Sequence, residues 1–325
     1  MPGRYVIYGA GAIGGVIGGG LALGGRDVAL IARGDHVRAL RTRGLELRTA
    51  DGTHVISVPA VEDPADLALT EDDIVVLAMK TQDTEAALDA LASTAPAALS
   101  VVCAQNGVEN ERLALRRFAN VYGMCVMLPG VHLEPGVVEG AGSPVFGVLD
   151  VGRYPMGNDT TAEAIAADLE GSGFRSRADE AIMRYKYAKL RVNTGNALDA
   201  ACGRSVRGSE LAARAAREAL DAFRAAGIDV ATKDEEAARR EGFKTLTIDG
   251  QQRAGSSSWQ SLAKGSGSIE ADFLNGEIVL LGRLHGVPTP VNEALRRLAN
   301  RMARRGEAPG SVTMEEAEAL VASLA

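Results

Sequence analysis

Short apolar runs separated by helix-like stretches dominate the first half of the chain. Arg4–Tyr8 and Asp27–Ala32 read as strands, and Ile74–Met79 and Ser100–Ala104 as continuous apolar strands covered on both faces. Thr84–Leu91, between the latter two, has helical composition. Strands alternating with helices predict βαβ units and a parallel sheet. From Val121 to Val148 strand-like pieces are broken by Leu128-Pro129-Gly130 and Glu134-Pro135-Gly136, which predicts antiparallel strands at the end of the sheet. A helix over Asp159–Leu169 and a short piece around Phe174 close this part. Beyond Asp179 the chain is rich in Ala, Arg and Leu at helical spacing, with no convincing strand.

The most informative local signal follows the first strand. Gly9, Gly11 and Gly14 form G-x-G-x-x-G, with Ala12 and Ile13 inside the motif and a helical segment behind it. One glycine serves a tight turn, the next lets the backbone approach a pyrophosphate, and the third lets helix and strand pack closely. The anion then sits on unpaired N–H groups at the positive end of the helix dipole. The expected fold is therefore an α/β Rossmann-type N-terminal domain with a mixed sheet, residues 1–178, followed by an all-α C-terminal domain, residues 179–325.

The end of the second strand bears on which dinucleotide binds. An NAD site usually carries an acid there for the ribose 2′-hydroxyl. This chain has Ala32 and Arg33 instead, and an arginine can pair with a 2′-phosphate through charge-assisted bonds. NADPH is the expected cofactor. The alternative is a solvent-facing Arg33, with Asp35 reaching the ribose from one turn later.

Composition narrows the field further. The 325 residues are 46% apolar and 24% charged, an ordinary globular balance. A net charge of −7 argues against a nucleic-acid surface. The basic pairs Arg116-Arg117, Arg239-Arg240 and Arg304-Arg305 read as solvated helix faces. Cys103, Cys125 and Cys202 are too scattered for a disulfide framework and read as buried, reduced thiols, and the four histidines lack ligand spacing, so no metal site is expected. The uncharged stretch Tyr5–Gly25 has glycine at nearly every second position, which argues against a signal peptide or membrane span. A cytoplasmic protein is expected, and an apolar face on the helical half leaves a homodimer open.

Polar residues stand where an open sheet binds ligands, outside the carboxyl ends of strands. Lys80 follows the strand ending at Met79, and Gln105-Asn106-Gly107 follows the one ending at Ala104, although Asn-Gly is also ordinary turn chemistry. In the second half Lys189, Asn193 and Asn196 are spaced i, i+4, i+7, so a continuous helix would set them on one face. That stripe is either a solvated face or a site. The Ser- and Gly-rich stretch from Gly255 to Ser268 resembles a linker, yet it holds the only tryptophan, Trp259. Ser258 and Glu270 have bland readings as a loop or cap residue and a helix-start acid.

Taken together the motifs resemble the ketopantoate reductase (2-dehydropantoate 2-reductase) family over nearly the whole chain. The matching pieces are GAGAIGG, LAMK at Leu77–Lys80, QNG at Gln105–Gly107, KLRVN at Lys189–Asn193, the serines before Trp259, and IEADFLNGEIVLLGRLHGVPTP at Ile269–Pro290. The resemblance implies a catalytic Lys189 and an essential Glu270, with Asn106, Asn193 and Ser258 on the substrate. Asn196 joins them as the nearby amide, while Gly9, Gly11, Gly14, Arg33, Lys80 and Asn106 fall near the NADPH. It implies reduction of ketopantoate to pantoate in pantothenate and coenzyme A biosynthesis. The family usually reads N-x-x-x-N-P where this chain reads NTGNAL, so Asn196 comes one residue early and Ala197 stands in place of proline. The departure keeps open a reductase of another 2-oxo acid. A non-catalytic NADP(H) sensor is a further alternative, though a sensor needs no proton donor.

Overall fold

The computed structural model describes residues 3–248, 250 and 255–324, with nothing described of the side chains of residues 205 and 207. The chain forms two compact units, Met1–Lys186 with Lys233–Arg253, and Tyr187–Thr232 with Ala254–Ala325.

The first unit is built on a seven-stranded sheet. Its strands are β1 (Tyr5–Tyr8), β2 (Val28–Ile31), β5 (Ala60–Val61), β6 (Ile74–Leu77), β7 (Ser100–Cys103), β8 (Asn120–Met127) and β12 (Val148–Arg153), in the order β12-β8-β7-β6-β1-β2-β5. All neighbours run parallel except β12, which is antiparallel to β8, so the sheet is mixed as expected. Burial alternates as two-sided coverage requires: Tyr5 and Ile7 face one core cluster, Val6 and Tyr8 the other. On the first face lie α1 (Ala12–Leu23) and α5 (Thr160–Glu170), through Val16, Ile17, Leu21, Ile165 and Leu169. On the second face α3 (Thr84–Ala92) and α4 (Asn110–Leu115) contribute Leu88, Leu91 and Ala114.

A second sheet escaped the apolar pattern. Strands β3 (Leu45–Thr49) and β4 (Gly52–Ile56) form a hairpin, and β9 (Gly130–Val131) and β10 (Val137–Gly140) complete the order β4-β3-β10-β9. The segment expected to yield antiparallel strands is thus divided. β8 pairs in parallel with β7, β9 and β10 pair antiparallel with each other, and β10 runs parallel to β3. Helix α2 (Gly34–Arg43) connects β2 to this sheet.

Two ties draw residues 233–253 into the first unit. The two-residue strands β11 (Gly142–Ser143) and β13 (Lys244–Thr245) pair antiparallel. Helix α9 (Lys233–Arg239) sends Arg239 onto buried Asp150, while Arg184 forms a two-pronged bond with Glu235. The Arg239-Arg240 pair is therefore not simply a solvated face, because Arg239 is a mostly buried partner of a buried carboxylate. The chain passes between the units three times, where the expectation drew one boundary at residue 178.

The second unit is helical among the described residues. Helix α6 (Ile182–Asn193) belongs to the first unit through Lys186 and to the second from Tyr187. It is followed by α7 (Asn196–Cys202), α8 (Glu210–Ala225), α10 (Ser257–Ala263), α11 (Asn275–His285), α12 (Pro290–Arg305) and α13 (Met314–Ala322). Leu198, Leu211, Ala215, Leu295, Leu298, Met302 and Val321 build the core. Cys103 and Cys125 are buried free thiols, while Cys202 is half-buried, less enclosed than expected. No helix among the described residues is long and apolar enough to cross a membrane.

Candidate active site

In the first unit the three glycines serve the three separate steric needs set out above. Gly9 has φ +98°, in the left-handed region, and a Cβ there would lie 2.6 Å from the Met79 nitrogen. A Cβ on Gly14 would collide with the Gly9 carbonyl and with the Ile7 side chain at 2.8 Å, so helix and strand meet only because it is absent. Gly11, the N-cap of α1, is different: a Cβ would meet nothing closer than His132 Cδ2 at 3.8 Å. The backbone is therefore uncrowded at the one position where the motif calls for approach by a pyrophosphate, with His132 as its nearest neighbour on that side. Two N–H groups of the turn, those of Gly9 and Ala10, are held by the Ile31 carbonyl at 3.0 and 3.2 Å. Ala12 and Ile13 begin α1.

Arg33 is exposed and is the N-cap of α2. Burial raises the Tyr8 hydroxyl above its ordinary value, and the neighbouring Arg33 guanidinium opposes the shift. Asp35, the alternative ribose ligand, is engaged in an exposed ion pair with Arg38.

The polar residues at the carboxyl ends of β6 and β7 are tied to one another. Gln105 Nε2 donates to Thr84 Oγ1 at 3.1 Å, and Thr84 Oγ1 donates to Asn110 Oδ1 at 2.8 Å. Asn110 Nδ2 donates to Thr81 Oγ1 at 3.2 Å and to the Asn106 carbonyl at 3.3 Å. Thr84 and Asn110 are fully buried, so this connected network holds the two strand-end loops in register. Lys80 and Asn106 are both half-buried on those loops.

Sequence reasoning missed the group beneath them. Lys186 Nζ donates to the main-chain oxygens of Cys103 and Gln105 at 3.1 Å each and of Met124 at 3.4 Å, and pairs with Glu111 Oε1 at 2.5 Å. Both side chains are almost wholly buried, and Glu111 Oε2 has no hydrogen-bond partner. Burial pushes the Glu111 carboxyl up while Lys186 pulls it down, with burial the larger effect. Burial, with Glu111 adding to it, raises the Cys103 thiol well above its ordinary value. Lys186 stands one turn before Lys189 on the same helix, and no local sequence signal marks it as the partner of a buried glutamate.

In the second unit the expected continuous stripe is broken. Helix α6 stops at Asn193 and α7 starts at Asn196, so only Lys189 and Asn193 share a helical face. The cause is local. Gly195 N–H bonds back three residues to Val192, and Thr194 Oγ1 donates to the Arg191 carbonyl at 2.8 Å. The Thr194 carbonyl, freed from the helix, accepts Asn275 Nδ2 at 2.9 Å. Asn275 donates also to Asn292, and Asn292 donates to Glu218, whose carboxylate accepts the first N–H groups of α12.

The break keeps the amides together all the same. Asn196 Nδ2 donates to Asn193 Oδ1 at 3.4 Å, while Nδ2 of the buried Asn193 has no hydrogen-bond partner. The serine segment is not a linker. Ser256 caps α10 by accepting Trp259 N–H, its own N–H donates to Asp199 at 2.8 Å, and Ser258 is buried within the helix. Glu270 opens a single 3₁₀ turn, Glu270–Asp272, and is 8% exposed.

A glycine turn of this geometry at the β1–α1 corner, with polar loops at the ends of neighbouring parallel strands, marks the protein as one of the Rossmann-type dinucleotide-binding proteins. Relatives narrow this further. Residues 5–154 match the profile of the family described as Ketopantoate reductase PanE/ApbA, and residues 181–303 match that of its C-terminal part. The chain is 31% identical over 314 residues to the 2-dehydropantoate 2-reductase of Halobacterium salinarum, covering 93% of this chain and 99% of that protein. It is 31% identical over 304 residues to the enzyme of that name from Archaeoglobus fulgidus, covering 91% and 96%. Among solved structures, a PanE/ApbA family ketopantoate reductase from Ralstonia eutropha JMP134 superposes with a TM-score of 0.78 at 30% identity, over 94% of this chain and 99% of that one. A D-mandelate dehydrogenase solved with NADH and anilino(oxo)acetate reaches 0.79 at 23% identity, over 94% and 100%, and speaks for the fold alone. The chain belongs to the ketopantoate reductase family, and is an NAD(P)H-linked oxidoreductase acting on CH–OH groups.

Proposed function

We propose that the protein reduces 2-dehydropantoate to pantoate with NADPH, in the cytoplasm, as a step of pantothenate and coenzyme A biosynthesis. The observation that carries this reading is the buried amide of Asn193, one turn beyond Lys189, with its nitrogen unsatisfied. An unpaired buried donor costs about 1–3 kcal/mol, a cost that a bound oxygen ligand would offset. Gly9, Gly11, Ala12, Ile13, Gly14, Arg33, Lys80 and Asn106 are assigned to the cofactor, whose nicotinamide supplies the hydride when bound.

The remaining roles follow from what a 2-oxo acid needs. Its carboxylate requires donors, a task for Ser258. Its carbonyl oxygen gains charge as it becomes an alkoxide, and the Lys189 ammonium can stabilise that charge and then give up a proton. Asn193 and Asn196 orient lysine and substrate, Asn106 brackets the substrate, and Glu270 holds either a substrate hydroxyl or the lysine.

A second reading, another 2-oxo acid as substrate, is favoured by one observation: the helix break at Thr194-Gly195, where the family's usual spacing is shortened. Loss of NADPH absorbance against a panel of 2-oxo acids tests both. Fast turnover restricted to ketopantoate supports the first reading, and a better turnover of another branched or hydroxylated 2-oxo acid supports the second. Tight NADPH binding with no turnover on any of them would overturn both in favour of a sensor.

A further inference from the structure

His36 lies half-buried in the first turn of α2, three residues after Arg33, and its ring joins two pieces of chain remote from it. Nε2 stands 2.7 Å from the main-chain oxygen of Ala10, inside the glycine turn. Nδ1 accepts the N–H of Gly136 at 2.8 Å. A carbonyl can only accept and an amide N–H can only donate, so both bonds together require the neutral ring with its proton on Nε2. The ring of His132 lies against it with centroids 4.2 Å apart, and His132 donates Nδ1–H to the Val137 carbonyl at 2.9 Å.

The loop that supplies Gly136 is fitted closely to α2. Gly136 has φ +83°, and a Cβ there would stand 2.9 Å from the Ala39 Cβ. Arg43, at the far end of α2, donates Nη2 to the Pro135 carbonyl at 3.0 Å. The same loop reaches the cradle, since His132 Cδ2 is the nearest atom to the open side of Gly11.

We propose that His36 is a positioning residue of the dinucleotide site. It fixes the distance between the glycine turn, where a pyrophosphate is expected, and the start of α2, which carries Arg33. A dinucleotide is long, and both of its ends must be met at once. A turn and an arginine that drift relative to each other lose affinity for the whole molecule, and most for a cofactor with a 2′-phosphate. The chemical step lies elsewhere and is untouched. The inference rests on assigning the glycine turn and Arg33 to NADPH.

The test is fluorescence titration of NADPH and NADH against the full-length protein and its variants, with kcat measured at saturating NADPH. His36→Leu removes both bonds and is expected to weaken NADPH binding by roughly tenfold to a hundredfold. NADH binding should weaken less, and kcat at saturation should stay within about twofold. His36→Gln can place an amide N–H where Nε2–H stands and should recover most of the affinity. His36→Asn, which can offer only an oxygen near the Nδ1 position, should recover less. Adding Arg33→Ala to His36→Leu should cost less than the two single losses together, because the displaced arginine has already lost much of its effect.

Unchanged NADPH affinity in His36→Leu, or strictly additive losses with Arg33→Ala, would overturn the proposal. So would a loss confined to kcat. If His36→Leu does not fold, the contrast between His36→Gln and His36→Asn decides, and equal affinities for those two overturn it. Failure of the wild-type protein to bind NADPH at all would instead remove the cofactor reading beneath it.

Discussion

The glycine cradle of the first unit and the polar cluster of the second are built on opposite principles. The cradle is made of backbone, spans six consecutive positions, and works through side chains that are absent: Gly9 and Gly14 have no room for a Cβ, and at Gly11 a Cβ would touch only His132, at 3.8 Å. The cluster is made of side chains: across the break between α6 and α7, Asn196 Nδ2 donates to Asn193 Oδ1 and reaches Ser257 Oγ at 3.5 Å, while Lys189, Ser258 and Glu270 are joined to it by our assignment. A backbone site is written locally because steric exclusion acts within one turn. A side-chain site becomes legible only once the fold has brought its members together.

Lys186 gives the largest effect with which to probe this contrast, because it shows side chains sustaining the backbone half. Lys186→Met leaves Glu111 buried without a counter-charge and should cost about 3–5 kcal/mol of stability. The double variant Lys186→Met/Glu111→Leu removes the orphaned charge and should recover most of it. Urea unfolding measures both, and a single variant as stable as the wild type would show that the pair does not hold the strand ends. The next effect is catalytic. Lys189→Ala should lower kcat by about 10² or more while leaving the NADPH dissociation constant within about twofold. An unchanged kcat would remove Lys189 from the mechanism, and a large loss of NADPH affinity would dissolve the division between cradle and cluster.

The same contrast explains what could be read from the residues alone. Strands β1, β2, β6 and β7 emerged within one or two residues because they are continuous apolar runs bounded by polar turns. The hairpin of β3 and β4 was passed over because Glu46 and Arg48 dilute the apolar signal, although Asp51-Gly52 is a recognised hairpin turn. The return of residues 233–253 to the first unit has no local mark, since it rests on Arg239 meeting Asp150 and on two short strands pairing across the chain. In the cluster, the spacing of Lys189 and Asn193 carried over to the structure, while Asn196 was set on a helix that in fact ends before it. Gly195 and Asn196, both weak helix formers, are the local mark of that break.

Arg33 offers the smallest and most discriminating effect, because it is the side chain to which we assign the choice of dinucleotide. It is exposed, so its bonds to a 2′-phosphate compete with water and are screened by salt. A charge-assisted bond in such a place contributes near the lower end of its usual range, and Arg33→Ala should weaken NADPH binding about tenfold. NADH lacks the phosphate and should bind the variant as it binds the wild type, so the preference falls while the cradle's own contribution stays. Raising the salt concentration should shrink the difference between wild type and variant for NADPH alone. Equal losses for both cofactors would mean that Arg33 supports the shape of the turn and does not read the phosphate. In that case even the choice between NADPH and NADH would be a property of the backbone.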